Sequence, residues 1–142
     1  MEIDNISKAK NTFSKFERLH KNKSIDRLFQ KGDSFVSYPL RIVYYAENMS
    51  DDKEKAECSI LVSVSKKKFK RAVKRNRVKR LIREAYRLNK ISFLDSLKGE
   101  NRRVDIAFLY LKSELPVYEE IEKAMLKAMT TLSDKLKEDK LE

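Results

Sequence analysis

Apolar residues recur along this chain in two spacings, and the switches between them mark out its elements. Behind Ser24, Ile25, Leu28 and Phe29 repeat at three and four, which predicts a short helix with Ser24 as N-cap and Gly32 as its stop. Over residues 34–45 the period drops to two. Val36, Tyr38, Leu40, Ile42 and Tyr44 take one face of a strand, and Phe35, Ser37, Arg41, Val43 and Tyr45 take the other. Pro39 cannot donate to a β-ladder, so this is an edge strand or two strands broken at that residue. Residues 58–65 alternate again, with Cys58, Ile60, Val62 and Val64 opposite Ser59, Leu61, Ser63 and Ser65. Residues 103–111 set Val104, Ile106, Phe108 and Tyr110 against Arg103, Asp105, Ala107, Leu109 and Leu111.

A helix over about 72–88 separates the last two strands, followed by a short apolar turn (Ile91, Phe93, Leu94, Leu97) closed by Gly99. After Pro116, the stripe Val117, Ile121, Ala124, Met125, Ala128, Met129 and Leu132 predicts a final helix, with a charged tail from Ser133 expected to fray. Residues 1–22 read as a loosely ordered lead-in and 48–55 as a polar turn. The order helix, strands, helix, strand, helix predicts an α+β fold, a two-layer sandwich with helices on the apolar sheet face and the mixed face open. At 142 residues and 41% hydrophobic the chain fits a single domain, 1–142, with its folded core at about 13–132.

Composition removes most enzyme classes. Gly32 and Gly99 are the only glycines, so no Gly-rich phosphate cradle can be written. One histidine (His20) and one cysteine (Cys58) give no zinc constellation, no disulfide and no nucleophile pair. Asp51, Asp52 and Glu54 read as a solvated turn rather than a paired-carboxylate site. No catalytic residue and no protein-bound metal are therefore expected. No apolar run approaches the roughly 18 residues of a membrane span, and the N-terminus lacks the order of a signal peptide, so a cytoplasmic protein is expected.

Charge is the informative feature. Between Lys66 and Arg87 lie twelve basic side chains against Glu84 alone, while the remaining 21 basic and 21 acidic residues cancel. The entire net charge of +11 thus belongs to one short stretch. Packing like charges together costs self-repulsion, so an unbalanced block implies a polyanionic partner. At about 100° per residue, Asn76, Arg80, Arg83 and Arg87 form one helical stripe flanked by Arg75 and Lys79, opposite Val78, Leu81, Ile82, Ala85 and Tyr86. Arg71, Arg75, Arg77, Arg80, Arg83 and Arg87 outnumber Lys74 and Lys79, which favours planar recognition of phosphates and bases. Asn76 adds a donor and an acceptor suited to a base edge or a 2′-hydroxyl rather than to a phosphate alone. On the mixed sheet face, Phe35, Arg41, Val43, Tyr45, Ser59 and Ser63 could stack on unpaired bases, or Val43 and Leu61 could simply pack beneath the first helix.

The run Val64-Ser65-Lys66-Lys67 and the block Ala72-Val73-Lys74-Arg75-Asn76-Arg77-Val78-Lys79-Arg80-Leu81-Ile82-Arg83-Glu84 resemble the protein subunit of bacterial ribonuclease P, whose signature is Arg-Asn-Arg. The resemblance covers about residues 13–132. It implies a left-handed βαβ crossover and a ribonucleoprotein that removes the 5′ leader from precursor tRNA, with catalysis and Mg²⁺ residing in the RNA subunit. It also implies that Lys66, Lys67, Arg75, Asn76, Arg77, Lys79, Arg80, Arg83 and Arg87 contact that RNA, and that no DNA partner is expected. Phe29, Arg41, Val43, Tyr45, Ser63 and Ser65 would line a cleft for the leader. The chain departs from the family pattern at Leu61, where glycine is usual, at Tyr110-Leu111, where Ala-Arg or Ala-Lys is usual, and at Val43, which is often aromatic. Two rivals share parts of this pattern. A ribosomal or other structured-RNA binding protein has the charge without the ordered Arg-Asn-Arg block. A peripheral membrane helix needs exposed bulky apolar residues that the core here claims.

Overall fold

In a computed structural model the chain is described over residues 18–48, 58–98 and 102–141. The elements are α1 (Asn22–Lys31), β1 (Asp33–Ser37), β2 (Leu40–Asn48), β3 (Cys58–Ser63), α2 (Ala72–Lys98), β4 (Arg102–Tyr110) and α3 (Tyr118–Leu141). The sheet order is β1-β2-β4-β3, antiparallel from β1 to β4 and parallel between β4 and β3. Parallel neighbours need a crossover, and α2 supplies it.

The apolar sheet face is covered as its alternation requires. Leu40, Ile42, Tyr44, Cys58, Ile60, Val62, Val104, Ile106, Phe108 and Tyr110 bury against the inner stripes of α2 and α3. Tyr86 of α2 lies tilted against Phe108 with ring centroids 6.1 Å apart.

The break at Pro39 makes two strands, with consequences for β1. A tight turn at Tyr38-Pro39 pairs Ser37 with Leu40 and Val36 with Arg41, so each even-numbered residue of β1 faces an odd-numbered one of β2. Alternation counted straight through the proline therefore assigns the faces of β1 the wrong way round. Phe35 packs on the core and Ser37 Oγ donates to the Ala124 carbonyl at 2.8 Å. Val36 and Tyr38, expected inward, are exposed.

Both long helices outrun expectation. α2 continues for 27 residues because neither glycine nor proline interrupts it, and Phe93 and Leu97 extend the buried stripe where an apolar turn was expected. The tail expected to fray from Ser133 is helical to Leu141, since Leu136 is buried and its carbonyl accepts from Arg102 Nη1 at 2.8 Å. Helix α1 begins at Asn22, with Lys21 in the cap position and no side-chain cap, so Ser24 lies inside the helix. Phe13, Phe16, most of the 48–55 turn and Gly99 lie outside the described residues. The end of the lead-in is placed. Arg18 bridges Ile60 in parallel, the Leu19 N–H donates to the Ile60 carbonyl at 2.8 Å, and the Leu19 side chain is buried.

The second sheet face is only partly open, because α1 lies on it. Leu19, Leu28, Val43 and Ala107 form a second buried cluster, with Ile25, Tyr45, Leu61 and Leu109 packed half-buried around it. Gly32 lets the chain pass from α1 into β1. A Cβ there would stand 2.3 Å from the Leu28 carbonyl oxygen and 2.7 Å from that of Tyr44, so the requirement is space, not an unusual φ. Arg27 fixes the helix from above. Its guanidinium sits 5.2 Å from the Tyr45 ring centroid, 3.3 Å from Glu47 and 3.8 Å from the buried Asp105, which also meets Arg103 at 3.4 Å.

Two stability outcomes follow from this second face. Gly32→Ala forces two backbone carbonyls apart, and urea unfolding should show a loss of about 1–3 kcal/mol. Burial pushes the Asp105 carboxyl above its ordinary 3.8, against the opposing pull of Arg103 and Arg27. A carboxyl raised in the native state binds its proton more tightly there than in the unfolded chain. Ionised Asp105 therefore subtracts stability above its native pKa, and the loss is relieved as pH falls through that value towards 3.8. Asp105→Asn should thus flatten the pH dependence of Tm just above pH 3.8. An unchanged pH profile would show that the carboxylate is already fully compensated.

Candidate nucleic-acid interface

The basic stretch is held by its own backbone and by one arginine. Residues 66–68 form a turn in which Ser65 Oγ accepts the Lys67 N–H at 3.1 Å and the Ser65 carbonyl accepts the Phe69 N–H at 3.1 Å. Phe69 is buried, its ring 6.1 Å from that of Tyr110, and Lys68 Nζ donates to the Leu111 carbonyl. Arg75 Nη1 donates to the carbonyls of Phe69 and Lys70, 2.8 Å each. Arg75 therefore splints the linker to the first turns of α2 as well as carrying charge.

Beyond this splint, Lys66, Lys67, Asn76, Arg77 and Arg80 are exposed, while Lys79, Arg83 and Arg87 are half-buried. Leu81, expected in the core, is only half-buried, and Ile82 is fully enclosed. No acid occupies the first turn of α2. Arg18, Asn76, Arg80, Arg83, Glu84 and Arg87 line one groove of about 470 Å³. Within it Arg87 Nε donates to Glu84 at 3.1 Å, and this hydrogen bond holds the Glu84 carboxyl below its usual range. The Arg83 guanidinium is lowered from its ordinary value, chiefly by burial and then by the neighbouring charge of Arg18. Four guanidinium groups face one carboxylate here, so the groove is suited to anions with planar oxygens. Arg18 was not foreseen, because its place beside α2 comes from a single non-local bridge to Ile60.

The residues expected to line a cleft do not all share one surface. The register aligns Val36, Arg41, Leu109 and Ser63 in a row across all four strands. Val36, Arg41 and Ser63 are exposed and Leu109 is half-buried, so this row is an accessible floor. Ser65 lies exposed just beyond it, and Phe29 stands 47% exposed in the last turns of α1. Val43 belongs to the next row, with Ala107 and Leu61, and is 8% exposed in the cluster that holds Leu28. Its side chain offers no surface to a strand, which corrects the expectation from its alternating position. Tyr45 lies a further row away, paired with Asp105 and half-buried under Arg27. It faces the α1 clamp, not the floor that carries Arg41. Val36 was missed because the parity of β1 inverts across the turn, whereas Leu109 lies on the outward face that its alternation gave it.

Among the described residues no three His, Cys, Asp or Glu side chains come together as metal ligands could, and no helix is long and apolar enough to cross a membrane.

The sequence model of the Ribonuclease P family matches residues 13–133. The ribonuclease P protein component of Porphyromonas gingivalis is 47% identical over 120 residues, which are 84% of this chain and 85% of that protein. That of Chlorobaculum tepidum is 36% identical over 109 residues, 72% of this chain and 70% of that protein. In fold the chain resembles the RNase P protein of Staphylococcus aureus, with a TM-score of 0.58 at 21% identity over 82% of this chain and 94% of that one. It resembles that of Thermotoga maritima with a TM-score of 0.60 at 21% identity, over 80% and 94%. The match spans α1 to α3 and takes in the Arg-Asn-Arg run on the outer face of α2, and on that ground the chain belongs to the ribonuclease P protein family.

Proposed function

We propose that this chain binds the catalytic RNA of ribonuclease P through α2 and its basic linker, and the 5′ leader of precursor tRNA through the exposed row of the sheet. The observation that carries the reading is the confinement of the whole +11 charge to residues 66–87, on a helix whose opposite side is core. Lys66, Lys67, Arg77 and Arg80 neutralise phosphates from exposed positions, and Asn76 reads a base edge or a 2′-hydroxyl beside them. Arg41, Ser63 and Phe29, over an apolar floor of Val36 and Leu109, offer a single strand one cation, one hydroxyl and one aromatic face. Such contacts tolerate many sequences, as a subunit serving many leaders requires.

In this reading the protein contributes no catalytic group. Leader removal and the Mg²⁺ that supports it belong to the RNA subunit, and the protein's share is to dock that RNA and hold the substrate. The assembly works in the cytoplasm on precursor tRNA, without DNA or membrane partners.

Binding of the ribonuclease P RNA should fall by roughly 10³-fold between 50 and 200 mM monovalent salt if about six phosphates are engaged. Arg80→Ala should lower the salt slope by about one without lowering Tm. A flat salt response would remove α2 as the docking face. In the reconstituted holoenzyme, Phe29→Ala and Arg41→Ala should weaken binding of leader-bearing precursor by about 1–3 kcal/mol per lost contact and leave mature tRNA unchanged. Tyr45→Ala should act on stability instead, since its ring supports Arg27. Equal losses for precursor and mature tRNA would remove the leader-cleft reading and leave α2 as the docking face.

A further inference from the structure

The cations of residues 66–87 do not all serve one surface. Past the carboxyl ends of the parallel strands β3 and β4, the linker and the first turn of α2 face the loop that follows β4 across a groove of about 500 Å³. Lys68, Lys70, Arg71 and Lys74 line one wall, and Ser113 and Glu114 line the other. Four cations meet one carboxylate. Lys74 stands four residues before the buried Val78, on the side of α2 that packs against the sheet, and about 160° round the helix from Asn76. It is exposed nonetheless. The stripe of Asn76 and Arg80 and this groove thus open on different sides of α2, so a partner laid flat against one does not reach the other. Both walls are tied down. The Tyr110 hydroxyl donates to the Glu114 carbonyl at 2.6 Å and Lys68 Nζ donates to the Leu111 carbonyl, while Arg75 holds the linker to α2.

The groove continues the exposed row of the sheet. Leu109 and Ser63 of that row are followed two residues on by Leu111 and Ser65, and then by Ser113 on one side and the turn that carries Lys68 on the other. We propose that the leader strand, on leaving the row at Leu109 and Ser63, turns over the end of the sheet into this groove, where Arg71 and Lys74 take two of its phosphates. The proposal rests on the reading of the sheet row as the leader's path and extends that path to residues beyond the sheet. Every nucleotide brings a phosphate, and Arg41 is the one cation the row supplies. A basic groove that tracks the backbone is the usual complement to a stacking floor, and a single strand is flexible enough to follow the turn. Lys68 is engaged by Leu111, which leaves Arg71 and Lys74, with Lys70 beside them, as the exposed charges. Glu114 opposes them from the far wall and weakens the hold. This end of the leader is gripped by its charge, without regard to its bases.

Precursor tRNAs whose leaders are shortened stepwise from the 5′ end, bound to the reconstituted holoenzyme, test this. With the parent protein, affinity should fall in a step once the leader no longer reaches the groove. The double variant Arg71→Ala/Lys74→Ala should bind the long-leader precursor about tenfold more weakly and lower its salt slope by about 1.4, two contacts at roughly 0.7 each on a single strand. It should bind the shortened precursor, and the ribonuclease P RNA alone, as the parent does. Glu114→Gln should strengthen binding of the long leader only. If Arg41→Ala loses precursor affinity while the double variant binds every leader like the parent, the groove is overturned and the sheet row stands. If neither variant loses affinity, the sheet row is overturned as the leader's path and the groove with it. A double variant that loses affinity equally for long and short leaders, or for the ribonuclease P RNA instead, would assign the groove to the catalytic RNA and overturn the proposal.

Discussion

The architecture depends on β4 being covered on both faces. It is the one described strand with neighbours of both senses, antiparallel β2 on one side and parallel β3 on the other. Val104, Ile106 and Phe108 point to the two long helices, while Ala107, on the opposite face, is fully buried beneath α1. The small side chain of Ala107 matters as much as the large ones, because it lets α1 seat Leu28 against the sheet. Parallel pairing with β3 then obliges the chain to cross over, and α2 must lay its apolar stripe on the sheet to do so. The outer stripe of α2 is left facing solvent, and that is where the arginines are concentrated.

Structure and function thus compete for little on α2. Val78, Ile82, Ala85 and Tyr86 satisfy the core, and Asn76, Arg77 and Arg80 are free of packing duties. The exceptions lie at the margins. Arg75 spends one nitrogen on the carbonyls of Phe69 and Lys70, and Arg83 is partly enclosed. Arg75 thus holds the linker in place while contributing to the charge of the surface.

What could be read in the sequence and what could not divide along a physical line. The basic stripe of α2 was legible because helical spacing is local and twelve cations stand against Glu84 alone. The inward faces of β3 and β4 were legible because two-residue alternation is local too. The faces of β1 depended on the geometry of the turn at Pro39, which the residues left open between one strand and two. The fate of Val43 depended on where α1 docks, and that of Arg18 on an edge bridge more than forty positions away in sequence. Helix ends at 88 and 133 were set too early because charge dilutes the apolar stripe there, although Phe93, Leu97 and Leu136 continue it.

The placement of all net charge on one linker and the front half of one helix also gives the molecule a direction. With the remainder of the chain neutral, the charge centre lies well away from the centre of mass, and the field of a polyanion exerts a torque as well as a pull. At physiological ionic strength that field decays over about 8 Å, a distance comparable to the reach of an extended arginine. Orientation is therefore decided in the last few ångströms of approach. The segregated charge raises the fraction of encounters that begin with α2 forward, which is a gain in association rate separate from the affinity of the finished contact.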